Sequence, residues 1–232
     1  MIRQTVYAVS ENTAKPIYTG SLYEIEDGIF KIIAIDGYRM AIRSENVDSE
    51  SKNRFVVPGK TQHEVLKLLT DDEENTEIII GQRHITFKIK NYRIICRLIE
   101  GTFIEYKSAI PKETKTEVVI NTRTIIDAVE RMSLLNNDRI QSPVRCIFSD
   151  DEIKLSCTSA VGRANDVISV PIIGESVEIG FNNRYLLDAL KNADTDEIKL
   201  ILNGSLTAMI VKPVKGDSYL SIVVPMRLAN EN

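Results

Sequence analysis

The chain of 232 residues carries the same order of structural segments twice, and this internal repeat limits the folds open to it. Each half has a helical pattern, a pair of strand-like segments, a second short helical pattern and a run of strands. The segments are 2–9, 22–43, 61–69 and 77–98 in the first half, and 124–135, 144–170, 184–190 and 197–224 in the second. The offset stays nearly constant, at 123 positions from Thr61 to Arg184 and 120 from Glu77 to Glu197. The repeat predicts two similar domains, 1–114 and 115–232.

The order of segments also predicts the fold class. Neither half shows the long alternation of strands and helices that a parallel sheet needs. We therefore expect an α+β fold with antiparallel sheets and two helices per domain. In the second half a strand at 117–120 and a cap at Asn121 or Thr122 precede the first helix. No such strand or cap precedes Ile2, so we expect the first domain copy to be truncated at its N-terminus.

Composition indicates a soluble, cytoplasmic chain that does not interact with membranes. Its hydrophobic content is 43%, and the sequence contains neither a membrane-length apolar run nor a signal peptide pattern. The three cysteines have no metal or redox spacing, so we expect buried, reduced thiols. A net charge of -4 argues against binding nucleic acid through bulk charge, although it allows a locally basic face.

No motif predicts catalysis. The histidines, His63 and His84, lack a second histidine at ligand spacing, so no metal site is expected. The segment 59–61 resembles the end of a phosphate-binding loop, but Arg54 stands where that loop needs glycine, and Pro58 removes an amide donor. Since no nucleophile comes with an evident base, we expect no catalytic residue, no cofactor and a protein that is not an enzyme.

Three segments carry a resemblance to a known family. They are Ile-Asp-Gly-Tyr-Arg-Met-Ala at 35–41, Leu-Ile-Glu-Gly-Thr-Phe-Ile-Glu-Tyr at 98–106, and Val-Val-Pro-Met-Arg-Leu at 223–228. Together they resemble the bacterial sliding clamps, the beta subunits of DNA polymerase III. Further similarity at 16–20, 56–58 and 180–182 extends the resemblance over essentially the whole chain. It covers the second and third domains of that family.

The resemblance implies a DNA clamp fold and a function. Sliding clamps are rings of two subunits, with three similar domains each, that close around duplex DNA without reading its sequence. They act as processivity factors. A groove between the second and third domains accepts a linear motif carried by replicative and translesion polymerases, the clamp loader, mismatch repair proteins and ligase. An intact relative is a homodimer, whereas this two-domain piece is expected to be monomeric or to dimerise in an irregular way.

The resemblance also implies which residues bind that motif. A deeper pocket is expected to contain Tyr18, Ile35, Gly37, Tyr38, Arg39, Met40, Ile104, Ser108, Ala109, Ile222 and Val224. Its extension is expected to contain Asn182, Tyr185, Leu206, Pro225, Met226, Arg227 and Leu228. At Ile35, Tyr38, Ile104 and Ser108 the family often has threonine, histidine, proline and arginine. Ordinary core packing is the alternative interpretation of Met40, Ile222 and Val224.

Two further sets follow from the same resemblance. Family helices face the centre of the ring, which implies loose phosphate contacts by Arg3, Lys60, Lys67, Arg123, Arg131, Arg184 and Lys191. Solvated helix side chains are the alternative. Leu134 and Leu135 match positions buried where two subunits join, so an exposed apolar edge is expected here.

Two other functions stay open at this point. An enzyme for small molecules could use the crevice between the domains, with Arg39, Asn182 and Arg227 holding an anionic substrate and Tyr38 or Tyr185 as acid or base. A purely structural assembly module is the third possibility, and it would bind no peptide.

Overall fold

The computed structural model describes residues 1–70, 75–135 and 142–228. Its contacts separate two compact units, of which the first is Met1–Glu105 and the second begins at Tyr106. The division of the two sequence copies between residues 114 and 115 stays a prediction.

The first unit contains two helices and two antiparallel sheets among its described residues. Its elements in chain order are α1 (Arg3–Val6), β1 (Gly20–Glu26), β2 (Ile29–Ile35), β3 (Arg39–Asn46), β4 (Asn53–Pro58), α2 (Gly59–Leu68), β5 (Glu77–Ile80), β6 (His84–Ile89) and β7 (Tyr92–Arg97). One sheet has the order β3-β2-β1-β4 and the other β5-β6-β7.

Local sequence explains the tight connections of the first unit. Asp27 and Gly28 join β1 to β2 with positive φ angles of 51° and 71°, the conformation that an Asp-Gly hairpin turn requires. Tyr23, Val57, Val65 and Phe87 belong to the core that forms beneath the strands and α2. Alternation along the strands places Tyr23, Val57 and Phe87 on the inner face, and Val65 of α2 packs against them.

The second unit repeats this arrangement with longer helices. Its elements are β8 (Thr116–Asn121), α3 (Thr122–Ser133), β9 (Val144–Ser149), β10 (Glu152–Ser159), β11 (Gly162–Ser169), β12 (Ile172–Gly174), β13 (Val177–Phe181), α4 (Asn183–Lys191), β14 (Glu197–Leu202), β15 (Met209–Pro213) and β16 (Tyr219–Val223). One antiparallel sheet has the order β11-β10-β9-β13. In the other, β12, β8, β14, β15 and β16 follow one another.

Capping and apolar spacing specify α3 and α4. The Asn121 side chain accepts a hydrogen bond from the backbone N–H of Thr124 at 3.0 Å, which resolves the choice between Asn121 and Thr122 as the cap. Buried Ile125, Val129 and Met132 lie along one face of α3. The expected α+β fold, with antiparallel sheets and two helices in each unit, is confirmed.

Several local predictions differ from the structure. The first helix is Arg3–Val6 rather than 2–9, because the N–H groups of Ala8 and Val9 bond to carbonyls three residues back and tighten the chain into turns. Tyr18 lies in a 3-10 turn over Pro16–Thr19, directly before β1. The Thr19 hydroxyl donates to the Pro16 carbonyl at 2.7 Å and stabilises that turn. The edge strands β11 and β12 were not predicted separately.

Two of the three cysteines are core residues. Cys146 and Cys157 are buried in the second unit. Burial raises the pKa of the Cys146 thiol to about 12 and also raises the pKa of Cys157, because the thiolate form is poorly solvated there. Cys96 is half-buried, and its sulfur lies 2.8 Å from the Thr61 hydroxyl. Within the residues described, no helix is long and apolar enough to cross a membrane.

Candidate functional site

A tight turn at the start of β3 gathers part of the predicted peptide-binding set in the first unit. One Asp36 carboxylate oxygen accepts hydrogen bonds from the backbone N–H groups of Tyr38 and Arg39, at 2.8 and 3.0 Å. The other accepts from Nε of Arg39 at 2.9 Å. The Arg39 guanidinium also lies over the ring of Tyr7, at 5.5 Å from its centroid. Three hydrogen bonds to Asp36 and the contact of Arg39 with Tyr7 therefore hold this turn.

The turn presents Tyr38 to solvent. Gly37 has φ +95°, a conformation that side chains rarely adopt, and this explains glycine at this position. Tyr38 follows with 60% of its surface exposed, whereas Arg39 and Met40 are buried. Ile35, on the other side of the turn, is half-buried. The Tyr38 ring is thus accessible to a ligand, and its backbone is fixed by the hydrogen bonds of the turn.

Tyr18 packs against the segment that ends the first unit, and Ile104 belongs to that segment. The Tyr18 ring meets the edge of Phe103 with a centroid distance of 5.7 Å, and Lys15 lies 6.0 Å from the Tyr18 centroid. Phe103 is buried, whereas the next residue, Ile104, is exposed. Phe103 therefore fixes the place of Tyr18 and leaves Ile104 accessible.

In the second unit the predicted terminal segment crosses the end of β13. The Met226 N–H donates to the Gly180 carbonyl at 2.8 Å. A Cβ on residue 180 would lie 2.6 Å from Cδ2 of Leu228, so glycine is what permits this crossing. Immediately beyond, the Asn182 side chain accepts from the N–H of Tyr185 at 3.2 Å and caps α4. The crossing and the cap are thus consecutive features of one strand end.

The remaining members of the set differ in exposure. Ser108 and Ala109 are exposed in the 3-10 turn Tyr106–Ala109. Ile222 is buried in β16, which agrees with the alternative interpretation of core packing. Val224, just beyond the strand, is 39% exposed. Leu206 is exposed in the turn between β14 and β15. Pro225 is half-buried and Arg227 is exposed.

The cations predicted to face DNA lie on the four helices, and several of them form ion pairs. Lys67 contacts Glu64 at 2.8 Å and Arg123 contacts Asp127 at 2.8 Å. Lys191 on α4 contacts Glu130 on α3 at 2.6 Å and lowers the pKa of that carboxyl by donating a hydrogen bond to it. Arg131 pairs with Asp166. Arg3, Lys60 and Arg184 are exposed. The helix faces are therefore only moderately basic.

The two leucines predicted at a subunit joint differ from each other. Leu134 ends α3 with 82% of its surface exposed. Leu135 is half-buried and packs against the core of the second unit. An exposed apolar group is thus present at this helix end, and Leu134 supplies it.

The alternative interpretation, a small-molecule enzyme, required Arg39 to bind an anionic substrate, and the structure does not leave Arg39 available for that role. Arg39 is 5% exposed, and its guanidinium is engaged by Asp36 and Tyr7. Elsewhere in the described residues, no group of three or more His, Cys, Asp or Glu side chains is placed to hold a metal ion.

Sequence reasoning missed the residues that support this site. Asp36 appeared only within the segment 35–41 and Tyr7 only within the helical segment 2–9, yet both hold Arg39. An aspartate followed by glycine, with a bonding partner three residues on, is the signal that could have identified the Asp36 turn. No sequence signal pairs Gly180 with Met226.

Comparison with known proteins matches both halves of the chain. A family model described as DNA polymerase III beta subunit, central domain, matches residues 1–105. A second, described as DNA polymerase III beta subunit, C-terminal domain, matches residues 107–227.

Individual relatives agree with these matches. The beta sliding clamp of Halalkalibacterium halodurans is 32% identical over 98% of this chain and 62% of its own length. The crystal structure of the DNA polymerase sliding clamp from Bacillus subtilis is 31% identical with a TM-score of 0.95, and covers 98% of this chain and 61% of that one. A sliding clamp from Pseudomonas aeruginosa bound to griselimycin is 27% identical with a TM-score of 0.92, covering 98% of this chain and 62% of its own.

The chain thus spans about three fifths of the length of these relatives. The matched residues of this chain include the turn at Asp36 and the crossing of Met226 over Gly180. By the match of both halves, this chain belongs to the family of DNA polymerase III beta subunits and corresponds to their central and C-terminal domains.

Proposed function

We propose that this chain supplies the central and C-terminal domains of a sliding clamp, a non-catalytic processivity factor of cytoplasmic DNA replication. In the complete protein, two subunits close a ring around duplex DNA. The observation that carries this proposal is the match of both halves to the two domains of one family, in their order along the chain.

Linear motifs of partner proteins are the proposed ligands of the peptide-binding set. Those partners are replicative and translesion polymerases, the clamp loader, mismatch repair proteins and ligase. In the first unit, support comes from the exposed ring of Tyr38 on a turn held by Asp36. In the second unit, support comes from the segment around Met226, whose N–H donates a hydrogen bond to the Gly180 carbonyl. Extended peptides bind through apolar contacts with a few polar anchors, and both sets combine apolar and polar side chains. The griselimycin-bound relative supports ligand binding in this family.

DNA contact is proposed to be weak and independent of sequence. Arg3, Lys60 and Arg184 are exposed and lie on three different helices, and Lys67, Arg123, Arg131 and Lys191 form ion pairs with carboxylates. Few phosphate contacts give low affinity with a shallow salt dependence. Retention on DNA would then come from ring closure, which a net charge of -4 does not oppose.

Titration with a fluorescent pentapeptide of the clamp-binding type tests the proposal. Tyr38→Ala and Met226→Ala are the informative variants, one in each unit. Tyr92→Ala is the matched control, because Tyr92 is a tyrosine of the same unit with the same 60% exposure and is not in the peptide-binding set. We expect saturable binding that Tyr38→Ala and Met226→Ala weaken by about tenfold or more, since loss of a buried anchor costs above 1 kcal/mol.

Equal affinity of Tyr38→Ala and Tyr92→Ala would refute the assignment of Tyr38. Absence of binding by the folded chain would contradict the motif-binding function and favour the structural assembly module. Small-molecule turnover that depends on Tyr38 or Tyr185, without peptide binding, would favour the enzyme.

A further inference from the structure

A cavity of about 630 Å³ lies within the first unit, lined by residues of β4 and of the segment 98–105 that follows β7. Its apolar lining includes the buried side chains of Leu22, Val56 and Phe103 and the half-buried side chain of Ile99. This volume and an apolar lining with a few polar groups are typical of ligand pockets. The lining shares no residue with the peptide-binding set, so the cavity is a separate site.

The chain crosses the edge of β4 beside this cavity in the way that it crosses β13 in the second unit. The Ile99 N–H donates to the Val56 carbonyl at 3.0 Å, and the Met226 N–H donates to the Gly180 carbonyl at 2.8 Å. Both pairs are single antiparallel bridges. Each crossing follows the last strand of its unit, β7 in the first and β16 in the second. The two crossings are therefore equivalent features of the repeat.

A turn that also lines the cavity has a counterpart in the peptide-binding set. Arg83 lies between β5 and β6, and the offset of 120 positions from Glu77 to Glu197 makes β14 the counterpart of β5. The turn that follows β14 carries Leu206, a member of the set. The Leu98 N–H donates to the Arg83 carbonyl at 2.9 Å, which joins the turn to the crossing segment. The same two segments thus line the cavity in the first unit and supply members of the set in the second.

Two arginines of the lining favour an acidic ligand. Arg54 and Arg83 both line the cavity and are exposed. The Arg54 Nε lies as far as 3.9 Å from a Glu24 carboxylate oxygen, and Arg83 forms no ion pair with a described residue. Both guanidinium groups can therefore donate hydrogen bonds to a carboxylate that enters the cavity.

The acids of the lining compensate these cations only in part. Glu100 and Glu105 line the cavity, but the Glu100 carboxylate already contacts Arg97 at 3.1 Å, and Arg97 lies outside the lining. Glu100 directly follows the first crossing, where the second crossing is followed by Arg227. The charges of the two equivalent places therefore differ, and we expect their ligands to differ as well.

We propose that this cavity is a second peptide-binding site, which takes an extended segment of a partner protein with an aromatic or branched apolar side chain beside a carboxylate. The apolar side chain would pack on Leu22, Val56 and Phe103, and the carboxylate would accept hydrogen bonds from Arg54 and Arg83. The comparison of the two units rests on the peptide-binding set of the proposed function, whereas the cavity and its charges do not depend on it.

The probe is the blocked tetrapeptide acetyl-Asp-Phe-Leu-Asp amide, and its uncharged counterpart is acetyl-Asn-Phe-Leu-Asn amide. NMR follows the backbone amides of Arg83, Ile99 and Thr102, both in the unchanged chain and in Met226→Ala, which impairs the peptide-binding set. We expect saturable shifts of these amides with the acidic peptide in both proteins. The uncharged peptide should bind about tenfold more weakly or worse, because it offers the arginines no charged acceptor.

Substitutions of the arginines test the site from the side of the protein. Arg54→Gln and Arg83→Gln should each weaken the acidic peptide by roughly fivefold to tenfold, through loss of a charge-assisted hydrogen bond. Arg93→Gln is the matched control, because Arg93 is an exposed arginine on β7 of the same unit and is not in the lining. That variant should bind the acidic peptide as the unchanged chain does.

Three outcomes would overturn the proposal. They are unchanged cavity amides at high peptide concentration, equal affinity for the acidic and the uncharged peptide, and equal weakening by Arg83→Gln and Arg93→Gln. Loss of the cavity shifts in Met226→Ala alone would also overturn it, while leaving the proposed function intact. Cavity shifts without any shift at Tyr38 or Met226 would support the second site and contradict the peptide-binding set instead.

Discussion

Asp36 binds Arg39 twice, through its backbone N–H at 3.0 Å and its Nε at 2.9 Å. Both side chains are nearly excluded from solvent, with exposures of 9% and 6%. The pair fixes the backbone on either side of Tyr38, which is itself exposed. A buried ion pair therefore holds the backbone that presents the exposed Tyr38 side chain.

Removing the acid of this pair should cost much more than removing the acid of an exposed pair. Asp36→Ala leaves a buried guanidinium without its carboxylate, and we expect the free energy of unfolding to fall by about 3 kcal/mol. The matched control is Glu100→Ala, because Glu100 pairs with Arg97 at the same three-residue spacing while both side chains are 67% exposed. We expect that variant to lose less than about 1 kcal/mol. Urea unfolding measures both, and similar losses would contradict the role given to Asp36.

The cap of α3 should contribute measurably to stability. In Asn121→Ala the N–H of Thr124 loses its acceptor, and we expect a loss of about 1 kcal/mol. Asn121→Asp keeps an acceptor in place and adds favourable charge at the helix N-terminus, so it should recover most of that loss. Thermal and urea unfolding of the two variants provide the comparison. A cap that contributes nothing would make the alanine and aspartate variants equal.

The pair between Glu130 and Lys191 should make stability depend on acid pH. Lys191 lowers the pKa of Glu130 in the folded chain by hydrogen bonding and by its charge. A carboxyl whose pKa is lower folded than unfolded stabilises the fold above the unfolded pKa, and this stabilisation is lost as pH falls through the folded pKa. NMR titration of the Glu130 carboxyl should therefore give a midpoint below that of an ordinary glutamate. Lys191→Met should return the midpoint toward the ordinary value, and an unchanged midpoint would show that Lys191 is not the cause.

Substitutions of Leu134 and Leu135, at the end of α3, should have different effects on stability and on subunit association. Leu134→Ser changes an exposed side chain, so we expect the free energy of unfolding to stay within about 0.5 kcal/mol. Leu135→Ser exposes a side chain packed on the core, and a loss of about 1 to 2 kcal/mol is expected. If Leu134 lies in a subunit joint of the complete ring, Leu134→Ser should also raise the dissociation constant of the dimer, measured by sedimentation. A dimer as tight as the unchanged one would exclude Leu134 from the joint.

Structural features that depend on a few neighbouring residues were predictable from the sequence. Asn121 and Asn182 cap α3 and α4, and each stands directly before an apolar helical pattern. Asp150 and Asp151 form the β9–β10 connection with φ angles of 55° and 56°. The antiparallel α+β fold followed from these signals and from the repeat, because short turns and two-residue periodicity leave few other arrangements.

The supporting contacts of the candidate site were not predictable in this way. Asp36 binds Arg39 through a local turn, but the stacking of Arg39 on Tyr7 joins segments that are far apart in sequence. The crossing of Met226 over Gly180 depends on where β13 and the chain end meet. Contacts of this type depend on sheet order and register, and residue spacing carries no information about them.

The sequence by itself determined the family, the repeat, the fold class and the helix caps, since each depends on residue type and short-range spacing. Only the tertiary structure decided that Arg39 is buried by its partners and that Leu134 is exposed while Leu135 packs against the core. The physical reason is that burial and pairing depend on the neighbours that folding brings together. Those neighbours belong to distant segments, whose packing no local pattern specifies.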